Sequence, residues 1–597
     1  MTRPLFILAV AASSCVASAA SMNDMDHGPF VSWTIRGESG SVTYKGIAIQ
    51  TGQSEPAAIC FDTDLLRFSA GWVGGFLRWY PERDGLERNP TIDGRIHFRN
   101  GAGPGWTTSD SFADPRSQPY GPLPETAGRY RGLFLHGTNV VLCYSIGDCE
   151  ILEAPGFIRL GTEAIFTRTL NLSKTATRLT ARVLECQGRD ARLFGAKAGL
   201  TRGTLRIVSE SENRLLAFDG LPSEAEWRIL EGHLCLRLPT LTDPRRLRIW
   251  IGAEPLANLA EMENRLRTHL SRLEPLPDLA PLCRGGPARW GDALKTKAVA
   301  GRDDGALAVD TLTVPKVNPW RSWLRFGGLD FLSADRALLG SVSGDVWLVS
   351  GLQNPGGELS WKRFATGLYQ PLGLKVVNGQ VYVLGRDQIT RLRDLNGDDE
   401  ADAYENFSNG VMVAENFHSF TLNLETDSRG NFYFAHGAPW PPEVRTPHQG
   451  ILFQLSPDGR TLRPFADGLR GPNGMAIGPN DQIVYTDNEG SNGVEMTFSE
   501  PLAPEESSDP QNFSIEQWNY RWIERYGSPQ YSAQNPEREG HDPVPVEAVR
   551  LSSDGQTIFL QTPPLKPVMQ MKVAWNIRAA DGTPVRNELY QTINAVP

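Results

Sequence analysis

Between residues 361 and 490, short strand-like runs recur, and each closes on a turn rich in Gly, Asp and Asn. The runs GQVYVLG, GNFYFAHG and DQIVYTD, with GDVWLVSG just upstream, put Trp347, Tyr382, Tyr433 and Tyr485 in comparable strand positions. Their separations, roughly 35 to 50 residues, match the blade period of a β-propeller, in which each small antiparallel sheet needs its neighbours to bury its faces. About four blade-like units are predicted, where closed propellers use roughly four to eight.

The flanking sequence is also strand-rich. Residues 25–298 carry the runs SVTYKGIAIQ, RGLFLHGTNVVLCYSI, LTARVLEC, TLRIVS, HLCLRL and RLRIWIG between Gly, Pro and Asp turns, which predicts an N-terminal β-sandwich-like domain. Helical spacing of leucines predicts one helix near 256–273, ended by Pro275 and Pro277. Residues 74–124, rich in Gly, Pro, Trp and Arg, read as a long ordered loop. A linker at 299–318 leads into a partial propeller over 310–491, and 492–597 read as a small C-terminal β-domain. The predicted fold class is therefore mostly β, in three domains, as expected for a chain of 597 residues.

A net charge of −10 argues against nucleic acid or an anionic membrane surface as partner. Residues 1–20 have the pattern of an export signal: Arg3, then the apolar run LFILAVAA, then Ala17-Ser18-Ala19 as a small-residue cleavage site. Lipid anchoring through Cys15 is the weaker alternative, because Ala12 stands where such sites prefer Leu. The apolar run is too short to span a bilayer, so no membrane span is expected, and a periplasmic or extracellular location follows. Six further cysteines, Cys60, Cys143, Cys149, Cys186, Cys235 and Cys283, allow up to three disulfides, with Cys143 and Cys149 placed to bridge a hairpin; buried free thiols are the other reading. No CxxCH occurs, which leaves no covalent haem.

Three groups of residues suggest chemistry. Asp394, Asn396, Asp398, Asp402 and Glu405 stand at positions one, three, five, nine and twelve of an EF-hand-like Ca²⁺ loop, with Asp399 where such loops carry Gly. A solvated turn whose Asp and Asn bond their own backbone is the competing reading. His418 precedes a strand, where a His of near-neutral pKa can serve as a general base; His436 and His448 are weaker candidates. Arg470, Asn473, Asp487, Asn488 and Glu489 fall in two polar turns able to hold an anion or a cation, or to be ordinary turns. The aromatics Trp518, Tyr520, Trp522, Tyr526 and Tyr531 suit either a sugar-stacking platform or a sandwich core. No P-loop, HExxH or GxSxG is present.

The segments RFATGLYQPLGLKVVNGQVYVLGRDQITRLRDLNGDDEADAYENF and LRGPNGMAIGPNDQIVYTDNEG resemble large exported propeller proteins of planctomycete-type bacteria, distant relatives of the soluble quinoprotein glucose/sorbosone dehydrogenases. MDHGPFVSWTI and RYRGLFLHGTNVVLCYSI are similar to the uncharacterised domain that precedes such propellers, and IEQWNYRWIERYGSPQYS to the β-domain that closes them. The resemblance implies oxidation of a sugar or polyol hydroxyl by pyrroloquinoline quinone (PQQ) with Ca²⁺, electrons passing to an external acceptor. His418 would be the base, Arg470 and Asn473 would contact the cofactor, and Asp487 and Glu489 would lie where carbonyls hold its Ca²⁺. Two departures stand against it. Gly471 replaces an Asn of the pattern, and TDNEGSN runs almost directly into GVEMTFSEPL where relatives continue with further blades. The alternative is a non-catalytic protein that binds carbohydrate or envelope components.

Overall fold

The computed structural model describes residues 21–593 except 53–54, 81–87, 110, 187–189, 211–212, 253–258, 273–274, 302–308, 355, 417–418, 439–445, 473, 487–492, 522, 524–527 and 553. The fold is mostly β, with blade-like four-stranded meanders, as the strand-and-turn rhythm predicts. The one long helix among the described residues is Leu259–Ser271, within the span its leucine spacing predicts. The chain divides into two compact units, residues 1–417 and 418–597.

In the first unit, the strands Phe30–Arg36, Val42–Gln50, Ala57–Asp62 and Arg67–Val73 form an antiparallel meander within a seven-stranded sheet. Two further meanders lie at Phe326–Ser333 to Glu358–Ala365 and at Gly373–Val377 to Ala403–Ser408. The second of these is not a free-standing blade. Its last strand pairs with Arg129–His136, through Ala403↔Phe134, Tyr404↔Leu133 and Glu405↔Gly132, to make one twelve-stranded sheet. Gly132 permits the junction: at φ 134° it lies so close to the partner strand that a Cβ would fall 2.3 Å from the Tyr404 carbonyl oxygen. The domain boundary expected at 299–318 is thus crossed by a continuous sheet, and the division falls at 417/418 instead. Edge pairing explains this, since a strand edge left open would expose unpaired N–H and C=O groups.

The twelve-stranded sheet has two unlike faces, because successive side chains point to opposite sides. On one face, Ile151, Phe166, Leu170, Leu247, Ile249 and Ile251 join the largest apolar core. That core also encloses an ion pair, Arg168 with Glu153, at 2.6 Å, and the Tyr144 hydroxyl donates to the same carboxylate at 2.5 Å. On the other face, the helix seals one end by packing Met262, Leu266 and Leu270 on Ile165, Leu215, Ala217 and Trp250. The rest of that face stays open.

The second unit holds a four-stranded meander over Thr421–Thr426, Phe432–His436, Ile451–Leu455 and Leu462–Ala466 and a hairpin of Gly474–Ile477 with Ile483–Thr486. Two further small sheets lie between residues 493 and 593, with a core of Met496, Ile558, Met571, Val573 and Trp575.

All six described cysteines are free. The hairpin that contains Cys143 and Cys149 sets Cys143 opposite Leu152 and Cys149 opposite Ile146, so register keeps the expected bridge from forming. Burial pushes the Cys60, Cys143 and Cys235 thiols up to about 12. Among the described residues no helix is long and apolar enough to cross a membrane.

Candidate ligand cleft

Of the residues the sequence marks for chemistry, His418, Asn473, Asp487, Asn488 and Glu489 lie outside the described residues, as do the signal segment 1–20, Trp522 and Tyr526. Arg470 braces its own turn: its Nη1 donates to the Ala438 carbonyl at 2.7 Å, and Ala438 N donates to the Arg470 carbonyl at 2.9 Å. His436 is buried, with Nε2 2.6 Å from Ser419 Oγ, which also accepts from Gln449 Nε2 at 2.9 Å. Trp518 is buried and stacks on His541 at 3.8 Å, so it serves the packing of the small β-domain rather than an open platform.

The acidic loop is spent on its own backbone. Asp394 accepts from the N–H groups of Asn396, Gly397 and Asp399, and Asn396 and Asp398 accept from Asp398 and Glu400. Asp402 accepts from Leu395 N and from Gly286 N. Glu405 is on the following strand, paired with Arg391 and Arg393, the latter at 2.8 Å. Position twelve of the expected Ca²⁺ loop is therefore already neutralised, and no three acidic, His or Cys side chains among the described residues converge on a metal position. Alternate acids and amides at this spacing serve an Asx-rich turn equally well, and the turn is what forms.

The sheet face left open by the helix forms a cleft of about 900 Å³, within the range of roughly 300 to 1,000 Å³ usual for small-molecule sites. Its floor follows from cross-strand register. The row Ala154↔Thr169↔Arg248 and the row Gly156↔Thr167↔Trp250 run over the strands Cys149–Leu160, Glu163–Leu172 and Arg245–Gly252. Small residues and hydroxyls occupy positions where a packed sheet face would carry Val, Ile or Phe. Gly156 keeps the floor low, and a Cβ there would meet Thr167 Oγ1 at 2.6 Å and force that hydroxyl to move. Residues 28–29, 49–52 and 138–140, with Pro277, Leu279, Leu282 and Arg289, wall the cleft.

Among the described residues no Asp or Glu lines this cleft, whereas Arg159, Arg248, Arg289 and His269 do. Arg159 is paired outside it with Glu55, at 2.5 Å. The Arg289 guanidinium lies over the Trp290 ring, 5.1 Å from its centroid. Arg248 donates Nε to Thr169 Oγ1 at 2.7 Å and stacks over Trp250, with its carbon 5.6 Å from the ring centroid. Burial lowers its pKa, opposed only by the more distant charge of Asp219. Burial, then Arg248, lowers His269 too, so that imidazole is neutral at pH 7. A second charged group is enclosed elsewhere in this unit: Lys45 pairs with Asp64 at 3.0 Å, and burial raises the nearby Asp387 carboxyl to about 7.

Sequence reasoning missed this cleft. Its signal is the segment RLRIWIG, in which Leu247, Ile249 and Ile251 alternate with Arg246, Arg248 and Trp250. The alternation marks a strand with one apolar face, but not what covers the other face.

Residues 59–153 match DUF6797, a domain of unknown function. No curated protein matches the chain. Among solved structures, a candidate oxidoreductase (glucose dehydrogenase) of Thermus thermophilus is similar at 14% identity over 50% of this chain and 100% of that one, with a TM-score of 0.27. The extracellular domain of a candidate hybrid two-component system of B. thetaiotaomicron is similar at 8% identity over 94% of this chain and 72% of that one, with a TM-score of 0.21. Neither superposition is close, and the functional reading rests on the cleft itself.

Proposed function

We propose that this is an exported, non-catalytic carbohydrate-binding protein whose ligand lies in the cleft of the twelve-stranded sheet. One observation carries the reading: a cavity of about 900 Å³ whose lining offers hydroxyl, amide and guanidinium groups, from Gln50, Thr51, Asn139, Thr167, Thr169 and Arg248, and no carboxylate among the described residues. A polyhydroxylated ligand is held by many such directional contacts. The same lining argues against glycoside cleavage, which in most enzymes needs two opposed carboxylates. The imidazole of His269, held neutral by burial and hemmed in by Trp250 at 6.5 Å, is poorly placed as a base for hydroxyl oxidation.

Of the residues that the quinoprotein resemblance assigns to a cofactor, only Arg470 is described, and it is engaged with the Ala438 carbonyl. No redox step is derived. The test is calorimetric titration of the full chain with a panel of oligosaccharides, alongside Ala154→Phe, which fills the floor. The reading expects binding by the native protein and its loss in Ala154→Phe at unchanged melting temperature. Failure of every saccharide to bind, or undiminished binding by the filled variant, overturns it.

A further inference from the structure

Three arginines on this side of the first unit are paired with acids. Arg246 meets Asp278 at 2.7 Å, Arg202 meets Asp219 at 2.7 Å, and Arg159 meets Glu55 at 2.5 Å. Arg248 has no such pair although it is more enclosed than these three, which are all exposed. Only its Nε is bonded, to Thr169 Oγ1. Among the described residues no carboxylate pairs with it, and its two Nη groups meet no protein acceptor. Asp219, which stands opposite Arg248 on the neighbouring strand and whose charge acts on it, already receives two bonds from Arg202, at 2.8 and 2.7 Å.

A half-buried cation without a partner lowers stability, and a fold keeps such a group where a ligand completes it. The group is also preorganised. The Thr169 bond and the Trp250 ring fix the plane of the guanidinium, and they leave the Nη edge, which matches two oxygens of one oxyanion. Arg289 adds a second cation to the same cleft, and the absence of any acid among the described lining residues leaves the interior positive.

We infer that the ligand is an acidic saccharide, one of whose oxyanions, a uronate carboxylate or a sulfate ester, is held by Arg248 while its sugar rings lie over the Ala154, Gly156 and Thr167 floor. This rests on the carbohydrate reading of the cleft above. The carboxylate and the sulfate present the same paired oxygens, so the structure specifies the shared chemistry, and the experiment separates the two sources.

The test compares three probes on the full chain by calorimetry, at low and at high salt: a trigalacturonate, its neutral methyl ester, and a sulfated trisaccharide. Each is titrated into the native protein, Arg248→Gln and Arg248→Lys. At least one acidic probe is expected to bind about 10- to 100-fold more tightly than the neutral ester, the worth of a charge-assisted bond in an enclosed site. The preferred acid identifies the source. That preference is expected to shrink with salt, to vanish in Arg248→Gln, and to survive in part in Arg248→Lys. An ester that binds as tightly as both acids overturns the inference and leaves the carbohydrate reading standing. A preference that persists in Arg248→Gln overturns it as well. If no saccharide binds, the carbohydrate reading itself has failed.

Discussion

On the strand pair Glu163–Leu172 and Arg245–Gly252, two arginines one position apart in register face opposite ways. Arg168 enters the apolar core with Glu153, the two side chains 3% and 0% exposed, and Tyr144 completes the carboxylate's bonds. Arg248, opposite Thr169, faces the cleft with a hydroxyl and an indole ring but no acid. Both are the same residue type on the same sheet. The difference lies in what surrounds them. The first is closed by protein, and its charge is cancelled where it stands. The second is left open, with half its hydrogen-bonding edge unused. A satisfied buried pair fixes how a core packs, while an unsatisfied charge in a cleft points outward to a partner.

The comparison is broken most severely by removing the acid from the closed side. Glu153→Gln leaves Arg168 buried beside a neutral amide, and a loss of about 3 to 5 kcal/mol is expected in the unfolding of the first unit. Calorimetry of the full chain checks this. Replacing both members, Glu153→Leu with Arg168→Met, is expected to cost less than either single change, because no uncompensated charge remains. A Glu153→Gln variant as stable as the native protein would mean that the pair is not enclosed as described.

Asp387 gives an intermediate case, an acid that is buried but shares its cation. Lys45 is 3.0 Å from Asp64 and also donates to the Asn409 carbonyl at 2.6 Å, so its pull on Asp387 is too weak to offset burial. Asp387 is raised from 3.8 to about 7. A carboxyl raised by folding is protonated more readily in the folded than in the unfolded chain. Its contribution is therefore most favourable below about pH 4 and is lost as pH rises toward 7, by at most about 1.4 kcal/mol for each unit of pH. Asp387→Asn keeps the neutral form at every pH. It is expected to be more stable than the native protein by a few kcal/mol at pH 8 and equal to it near pH 4. Melting curves across that range decide the matter, and a gap that does not change with pH refutes the shift.

On the open side the sign reverses relative to Arg168. Arg248→Met removes a half-buried charge that no carboxylate pairs directly and that Asp219 offsets only in part, so the unliganded protein should gain about 1 kcal/mol, seen as a rise in melting temperature. If this variant is instead destabilised as strongly as Glu153→Gln, Arg248 is a packing residue and the contrast between the two faces disappears.

How far the sequence reveals this molecule depends on distance along the chain. The strands, the blade-like meanders and the helix Leu259–Ser271 follow from local periodicity, because each element records its own faces. The join of Ala403–Ser408 to Arg129–His136 is not written locally, since it matches two edges some 270 residues apart and depends on the bare backbone of Gly132. The cleft is hidden for the same reason. Ala154, Gly156, Thr167 and Thr169 are ordinary in sequence and become a floor only when three strands align. The acidic loop shows the opposite case, a pattern strong enough to name but shared by two structures. Asp394 satisfies three backbone N–H groups, which is what the Asx-turn chemistry of these residues permits without an ion.

The smallest effect belongs to the last position of that loop pattern. Glu405 accepts from Arg391 and Arg393 at the rim of the blade-like meander, where all three side chains keep contact with water. Screening and side-chain entropy leave such a network worth little, so Glu405→Gln should cost no more than about 1 kcal/mol, and less in high salt. Set beside Glu153→Gln, the same chemical change on the same twelve-stranded sheet should differ several-fold in cost. Burial alone separates the two sites. Equal losses would show that the charge network at the rim, rather than enclosure in the core, governs the stability of this sheet.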